Sequence, residues 1–143
     1  MGLIECQDIC KSFGEKVALD HVSVTMEKGK IFGLLGPNGS GKTTLIRIIN
    51  RITIPNRGEI LFDGRPITQR DVEKIGYMPE ERGLYRKMKV GEQALFLARL
   101  KGMSSKDAEN ELKKWFVRFG IESWWNKKVE ELSKGMAQKV QFI

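Results

Sequence analysis

The chain has 143 residues, of which 41% are hydrophobic, and its 25 Lys and Arg against 18 Asp and Glu give a formal charge of +7. This apolar fraction is that of a domain with a hydrophobic core, and it excludes a disordered chain. No apolar run is long enough to cross a bilayer, and the N-terminus lacks the layout of a signal peptide, so we expect a cytoplasmic protein. Basic residues are mixed with acidic ones, which argues against nucleic acid as a partner.

Along the first half of the chain, short strand-like segments are separated by turns containing Gly and Pro. Strands are predicted at residues 3–13, 21–26, 30–35, 59–63 and 75–79. Turns or breaks are predicted at 14–16, 55–58 and 64–66. The segment 30–35 is almost entirely apolar and therefore predicts a buried strand.

Helical spacing is found in four other segments, at residues 44–50, 69–74, 90–101 and 105–120. The first places Leu45, Ile48 and Ile49 on one face. The last carries an apolar stripe of Leu112, Trp115, Phe116 and Phe119, which favours a core face over a partner surface. Ser104 is predicted as its N-cap, and Gly102 and Gly120 as helix stops. The last two segments predict an antiparallel helical insert.

The cysteines and the single histidine have no obvious chemical partners in the sequence. Cys6 and Cys10 are four residues apart and would share one face of an extended strand, which favours packing over metal binding. His21 is the only histidine. This argues against zinc clusters and against Ser-His-Asp catalysis.

The glycine-rich segment 36–43, G-P-N-G-S-G-K-T, fits the pattern of a phosphate-binding loop between a strand and a helix. Its glycines allow successive N–H groups to converge on phosphate oxygens at the positive end of the helix dipole. Lys42 would reach the β- and γ-phosphates, Thr43 would ligate Mg²⁺, and Thr44 would lie near the α-phosphate. The alternative, a turn that only joins strand to helix, does not explain the Gly-Lys-Thr order. We therefore predict that the chain binds a nucleotide.

A second motif lies about ninety residues later, where Leu132, Ser133, Lys134 and Gly135 open a helical run. Alone, this tetrapeptide is a weak signal, and the alternative is an ordinary helix start capped by Ser. Together with the loop, it resembles the L-S-x-G signature of ATP-binding cassette (ABC) ATPase domains. The segment 11–19 resembles that family's aromatic loop, and the segment 76–79 resembles the strand before its Gln loop.

This resemblance implies ATP and Mg²⁺ as ligands and assigns roles to residues. Phe13 would stack on adenine, and Glu80 stands where the family has the Gln that contacts Mg²⁺. The P-E-E-R-G-L-Y form of residues 79–85 resembles a branch that powers sodium or drug export. The implied nucleotide contacts are Phe13, Asn38, Gly39, Ser40, Gly41, Lys42, Thr43 and Thr44. The signature would contact a nucleotide on a second subunit. Its implied contact residues are Ser133, Lys134, Gly135 and Met136.

The resemblance also implies an α/β fold: a P-loop NTPase with a RecA-like core, an antiparallel β subdomain and an inserted α-helical subdomain. We expect the nucleotide-binding core at residues 1–87, the helical subdomain at 88–131 and the signature at 132–143. The partners would be a second ATP-binding subunit, in a head-to-tail dimer, and an integral membrane permease against which the helical subdomain docks. The protein would then be peripheral on the inner face of the cell membrane.

In that family, an Asp-Glu strand end and a switch histidine follow the signature helix, and we expect them beyond Ile143 as the C-terminal part of the core. The 143-residue chain is then expected to bind ATP with negligible hydrolysis, and to associate through the exposed edge of the strand at 31–35. Two other functions stay open. One is a nucleotide-binding regulator that does not hydrolyse ATP, and the other is a soluble ABC ATPase acting on ribosomes or DNA.

Overall fold

A computed structural model describes residues 2–79 and 83–143. The chain forms two compact units, Met1–Tyr77 and Met78–Ile143. Among the described residues, the first is built around an antiparallel sheet and two helices, whereas the second is helical. Among the described residues, no helix is long and apolar enough to cross a membrane.

The sheet of the first unit has four strands in the order β2-β1-β3-β4, and each neighbouring pair is antiparallel. The strands are β1 (Ile4–Phe13), β2 (Lys16–Met26), β3 (Arg57–Phe62) and β4 (Arg65–Pro66). A tight turn with Gly14 at φ 58° joins β1 to β2, and glycine adopts this conformation without steric cost. β2 therefore begins five residues earlier than the predicted strand at 21–26.

Bulges interrupt the pairing of β1 with β2, and they change which residues of β1 face the core. The register shifts between Cys6 and Ile9 and again between Ile9 and Lys11. Asp8 and His21 have positive φ, at 55° and 48°. Cys6 and Ile9 are both buried, at 2% and 0% exposed, although an uninterrupted strand would point them to opposite faces. The expectation that Cys6 and Cys10 share one face of the strand was therefore wrong, because Cys6 belongs to the core and Cys10 lies outside it.

Helix α1 (Lys42–Ile49) packs on this sheet. It buries Leu45, Ile48 and Ile49, the face that its spacing predicts. The other buried members of this core are Cys6, Ile9, Leu19, Ile60 and Ile67.

Beyond β3, the chain turns through β4 into the short helix α2 (Gln69–Val72). Buried Asp71 accepts two hydrogen bonds from Arg65, at 2.8 and 2.7 Å, and one each from the N–H and hydroxyl of Thr68. These bonds, those from Arg65 most of all, hold the pKa of Asp71 well below its usual range. One carboxylate thus ties β4 to the start of α2.

Two predicted strands and one predicted break differ from the structure. Residues 30–35 and 75–79 form no strand, and Ile31 and Leu35 are almost fully exposed, at 102% and 93%. Among the described residues, no strand pairs with either segment, and an extended chain without a neighbour makes no ladder hydrogen bonds. Arg65 and Pro66, predicted to break the chain, pair with β3 instead.

The second unit contains α3 (Val90–Leu100), α4 (Ser105–Phe119) and α5 (Lys134–Phe142), with 3-10 turns at Glu122–Trp124 and Val129–Glu131. The predicted helix ends are confirmed: Ser104 accepts a hydrogen bond from the Asp107 N–H, and Gly120 ends α4 in the left-handed conformation. Leu112 and Phe116 of the predicted stripe are buried, whereas Trp115 is 36% exposed at its edge. The other buried residues of this core are Val90, Ile121, Val129, Leu132, Ala137 and Val140.

Candidate nucleotide-binding site

The segment 36–43 forms a glycine-dependent loop that leads into the N-terminus of α1. Gly39 and Gly41 have φ of 81° and 90°, in the left-handed region that side chains disfavour. A Cβ on Gly41 would also clash with the Ala18 carbonyl oxygen and approach Leu19 Cδ2 to 2.8 Å. The loop therefore packs closely against β2, and only glycine fits at position 41.

Lys42 is bonded to the loop that precedes it. Its ammonium donates to the carbonyl oxygens of Gly36 and Pro37, at 2.7 and 2.6 Å, and to Ser40 Oγ at 3.3 Å. These three bonds hold the cation across the loop, beside the N–H groups that the glycines orient. The arrangement concentrates positive charge at one end of α1.

The first turn of α1 is open to an anion. Its N-cap is Gly41, and within the described residues no side chain caps it and no acidic residue stands in its first turn. Its N–H groups and the helix dipole are thus available to phosphate oxygens. Asn38, Ser40 and Thr43 are exposed, and Thr44 is half-buried. Of the predicted metal ligands, Thr43 offers an accessible hydroxyl, whereas Glu80 lies outside the described residues.

Phe13 lies at the end of the β1–β2 hairpin and is 54% exposed. It pairs with Lys16, and Lys11 Nζ lies 5.2 Å from its ring centroid. Two residues beyond Lys16, the Ala18 carbonyl is the atom that faces Gly41. Two residues of strand span roughly 7 Å, so the hairpin carries an exposed aromatic ring close to the loop.

The predicted signature residues form the exposed start of α5. Ser133 is the N-cap and accepts a hydrogen bond from the Met136 N–H at 3.3 Å. Ser133, Lys134 and Gly135 are exposed, and a Cβ on Gly135 would meet no other atom within 4 Å. Buried Leu132, Ala137 and Val140 anchor this helix start. The motif is thus an exposed surface on a helix start that the core anchors, and its action on a nucleotide stays a prediction.

The structure also brings together three side chains that no sequence motif links. Asp8, Cys10 and His21 place their potential ligand atoms within 4.8 Å of one another. The carboxyl of Asp8 contacts His21 Nδ1 at 2.5 Å and Arg57 Nε at 2.9 Å, and its pKa is lowered, chiefly by the His21 bond. In an uninterrupted hairpin, the turn would place Cys10 opposite Leu19. The bulges place Cys10 beside His21 instead, and no sequence pattern predicts the bulges.

Known proteins resemble the chain over nearly all of its length. Residues 19–143 match the sequence profile of the family described as ABC transporter. An uncharacterised ABC transporter ATP-binding protein of Bacillus subtilis is 48% identical over 141 residues, which cover 99% of this chain and 47% of that protein. Another, from Methanocaldococcus jannaschii, is 41% identical and aligns with 98% of this chain and 50% of its own length.

The structure agrees with the sequence comparison. It superposes on a putative ABC transporter ATP-binding protein from Pyrococcus furiosus with a TM-score of 0.78 and 33% identity, covering 96% of this chain and 66% of that one. The fold is that of a P-loop ABC ATPase, with an antiparallel sheet and helices. The chain spans about half the length of the curated relatives it matches. Profile, relatives and fold agree that the chain belongs to the ABC transporter family.

Proposed function

We propose that this chain is an ATP-binding part of a membrane transporter and that it holds Mg-ATP in the loop at residues 36–43. The observation that carries the proposal is the geometry of this loop. Left-handed glycines lead into an uncapped helix N-terminus, and a lysine ammonium lies across the same loop. A turn with only a connecting role needs neither feature.

In this proposal, the phosphate chain is bound mainly by backbone groups. The backbone N–H groups of Asn38, Gly39 and Gly41 and of the first turn of α1 would donate to phosphate oxygens, as the dipole favours. The Ser40 N–H, which donates to the Pro37 carbonyl oxygen at 3.2 Å, would exchange this partner for phosphate. Lys42 would exchange its carbonyl partners for the β- and γ-phosphates. Such an exchange replaces neutral acceptors by charged ones, which form stronger hydrogen bonds.

The residues present fit a magnesium ion that the nucleotide brings with it. Mg²⁺ is commonly bound by few protein oxygens together with substrate phosphates and water, and the exposed hydroxyl of Thr43 is available in the first turn of α1. Bound there, the ion would neutralise phosphate charge. Glu80 is the second ligand proposed from the sequence.

Phe13 is proposed to contact the adenine. Its ring is more than half exposed at the hairpin end, where an isolated aromatic side chain gains by stacking on a base. Lys11 approaches the same ring and would lie near the base or ribose.

We further propose that Ser133, Lys134, Gly135 and Met136 act on the nucleotide of a second subunit in a head-to-tail dimer. The open surface around Gly135 supports this proposal, because a phosphate can approach the helix start without meeting a side chain. ATP would then stabilise the dimer by contacting both subunits.

The remaining proposals concern assembly and location. Residues 1–87 would be the nucleotide-binding core, 88–131 the subdomain that docks on a membrane permease, and 132–143 the signature. Attachment to the permease would hold the protein at the cytoplasmic face of the membrane. Export is favoured by the form of residues 79–85. Relatives named for spermidine/putrescine import and for lantibiotic transport both align with this chain, at 33% and 30% identity, so the direction needs a transport assay.

The test of ATP binding is thermal unfolding with and without Mg-ATP, in the wild type, in Lys42→Ala and in the matched surface variant Lys74→Ala. A ligand at 100 times its dissociation constant adds about 2.7 kcal/mol to the free energy of unfolding. That corresponds to a rise in Tm of several degrees for a chain of this size. We expect the full rise in the wild type and Lys74→Ala, and little in Lys42→Ala. An equal rise in all three would contradict the site.

A further inference from the structure

The cluster of Asp8, Cys10 and His21 lies on the β1–β2 pair and belongs to neither the loop nor the signature. It joins a carboxylate, a thiol and an imidazole, and their donor atoms lie within 4.8 Å of one another. His21 Nδ1 lies 2.5 Å from Asp8 Oδ1, and the backbone N–H of His21 donates to Cys10 Sγ at 3.3 Å. Three different ligand types thus converge on one point of a paired sheet.

We propose that this cluster binds a thiophilic divalent cation, with Zn²⁺ as the occupant. Cys10 Sγ, His21 Nδ1 and Asp8 Oδ1 would be three ligands of a tetrahedral ion, and water would be the fourth. Tetrahedral zinc with ordinary bond lengths separates such ligand atoms by about 3.3–3.6 Å. The His21 and Asp8 side chains are 59% and 43% exposed, so both have room to rotate toward this spacing.

The surroundings of His21 match those of a metal-bound imidazole. With Nδ1 on the metal, the ring proton resides on Nε2, and Asp20 Oδ1 lies 3.8 Å from that atom. A small rotation of the exposed Asp20 side chain makes this contact a hydrogen bond. A carboxylate that accepts from the second nitrogen is a common partner of metal-ligating histidines, and it fixes the ring and its tautomer.

The charges around the site balance on binding. Zn²⁺ displaces the thiol proton of Cys10, so the thiolate and the Asp8 carboxylate offset the charge of the ion. Asp20 and Arg57 offset each other. Arg57 holds Asp8 Oδ2 at 2.9 Å, which leaves Oδ1 for the metal, although its positive charge lowers the affinity.

The ligand set also determines which ion is selected. A thiolate and an imidazole favour Zn²⁺ over Mg²⁺, which prefers oxygen ligands. The site is therefore distinct in chemistry from the magnesium that accompanies ATP. Because its ligands come from two paired strands, bound zinc would cross-link β1 to β2 at their bulges.

The test is the rate at which iodoacetamide alkylates each cysteine of the full chain, measured by peptide mass spectrometry with and without one equivalent of Zn²⁺. We expect Zn²⁺ to slow the alkylation of Cys10 at least tenfold, and Mg²⁺ to leave it unchanged. Cys6 is the internal control, because it is buried and its burial raises the pKa of its thiol to about 11. An unchanged Cys10 rate with Zn²⁺ would overturn the proposal.

Two substitutions and a second metal test the ligand assignment. Cys10→Ser removes the thiol with little change in shape, and His21→Asn removes the imidazole while tolerating the positive φ. In the wild type, Co²⁺ should give the charge-transfer and visible bands of a tetrahedral thiolate site, and both variants should lose them. Zn²⁺ protection of Cys10 that persists undiminished in His21→Asn would show that the cluster is not the ligand set.

Discussion

Strand β1 and the segment 31–35 belong to the same unit, but β1 is a paired strand and the segment 31–35 forms no strand. Four of the five residues at 31–35 are large and apolar, yet Ile31 and Leu35 are almost fully exposed. β1 mixes apolar residues with charged and polar ones, and it lies between β2 and β3 with Ile9 completely buried. Apolar content therefore does not explain which segment is a strand. β1 has neighbouring strands with which it forms hydrogen-bonded ladders, whereas the segment 31–35 has none among the described residues.

The largest expected effect comes from truncating one isoleucine in each segment. Ile9→Ala should lower the free energy of unfolding by about 2–5 kcal/mol, because it removes buried methyl groups and leaves a cavity in the core. Ile31→Ala removes the same atoms from an exposed side chain, so it should change the free energy by less than about 0.5 kcal/mol. Urea unfolding of the two variants measures both values. A comparable loss in Ile31→Ala would mean that residues 31–35 are buried in solution.

A smaller difference between two matched variants is expected where the loop meets β2. Gly41→Ala places a Cβ against the Ala18 carbonyl at positive φ, whereas Gly39→Ala has the positive φ without a neighbour within 4 Å. Backbone strain should lower the free energy of unfolding by about 1–3 kcal/mol in either variant. Gly41→Ala should lower it by about 1–3 kcal/mol more, because the loop must move away from the Ala18 carbonyl to make room for the Cβ.

The same two variants separate loop shape from strand contact. Affinity for a fluorescent ATP analogue should fall further in Gly41→Ala than in Gly39→Ala, because only Gly41 fixes the loop against β2. Equal stability and equal affinity in the two variants would show that this contact has no energetic role. The loop would then be shaped by its own glycines.

Sequence patterns predicted those parts of the fold that depend on neighbours along the chain. The buried face of α1, the Ser104 cap and the Gly120 stop follow from spacing within a few residues, and the structure confirms them. The shape of the phosphate loop also follows from a local motif. The segments 30–35 and 75–79 were predicted wrongly, because a strand needs a pairing partner that its own residues do not specify.

The bulges of β1 and β2 could not be predicted for a related reason. Asp8 and His21 adopt positive φ although neither is glycine, and their conformations follow from the register that the two strands reach together. Without the bulges, the Asp8, Cys10 and His21 cluster does not form. The phosphate loop thus follows from neighbouring residues in the sequence, whereas the cluster depends on how two strands pair.

β4 is held by side-chain hydrogen bonds as well as by strand pairing. It has only two residues and gains little from its ladder, and the bonds of Asp71 also tie it to α2. Since hydrogen bonds from Arg65 and Thr68 depress the pKa of Asp71, their stabilisation is fully present above the ordinary Asp pKa of about 3.9 and is lost as pH falls toward the lower folded value.

The difference in free energy of unfolding between wild type and Asp71→Asn should be constant from about pH 7 to pH 5 and shrink below about pH 4. Urea unfolding across this range measures it, with exposed Glu73→Gln as the control. A difference that stays constant down to pH 2 would mean that the Asp71 carboxylate makes no stronger bonds in the folded chain than in the unfolded one, and β4 would then be held by its ladder alone.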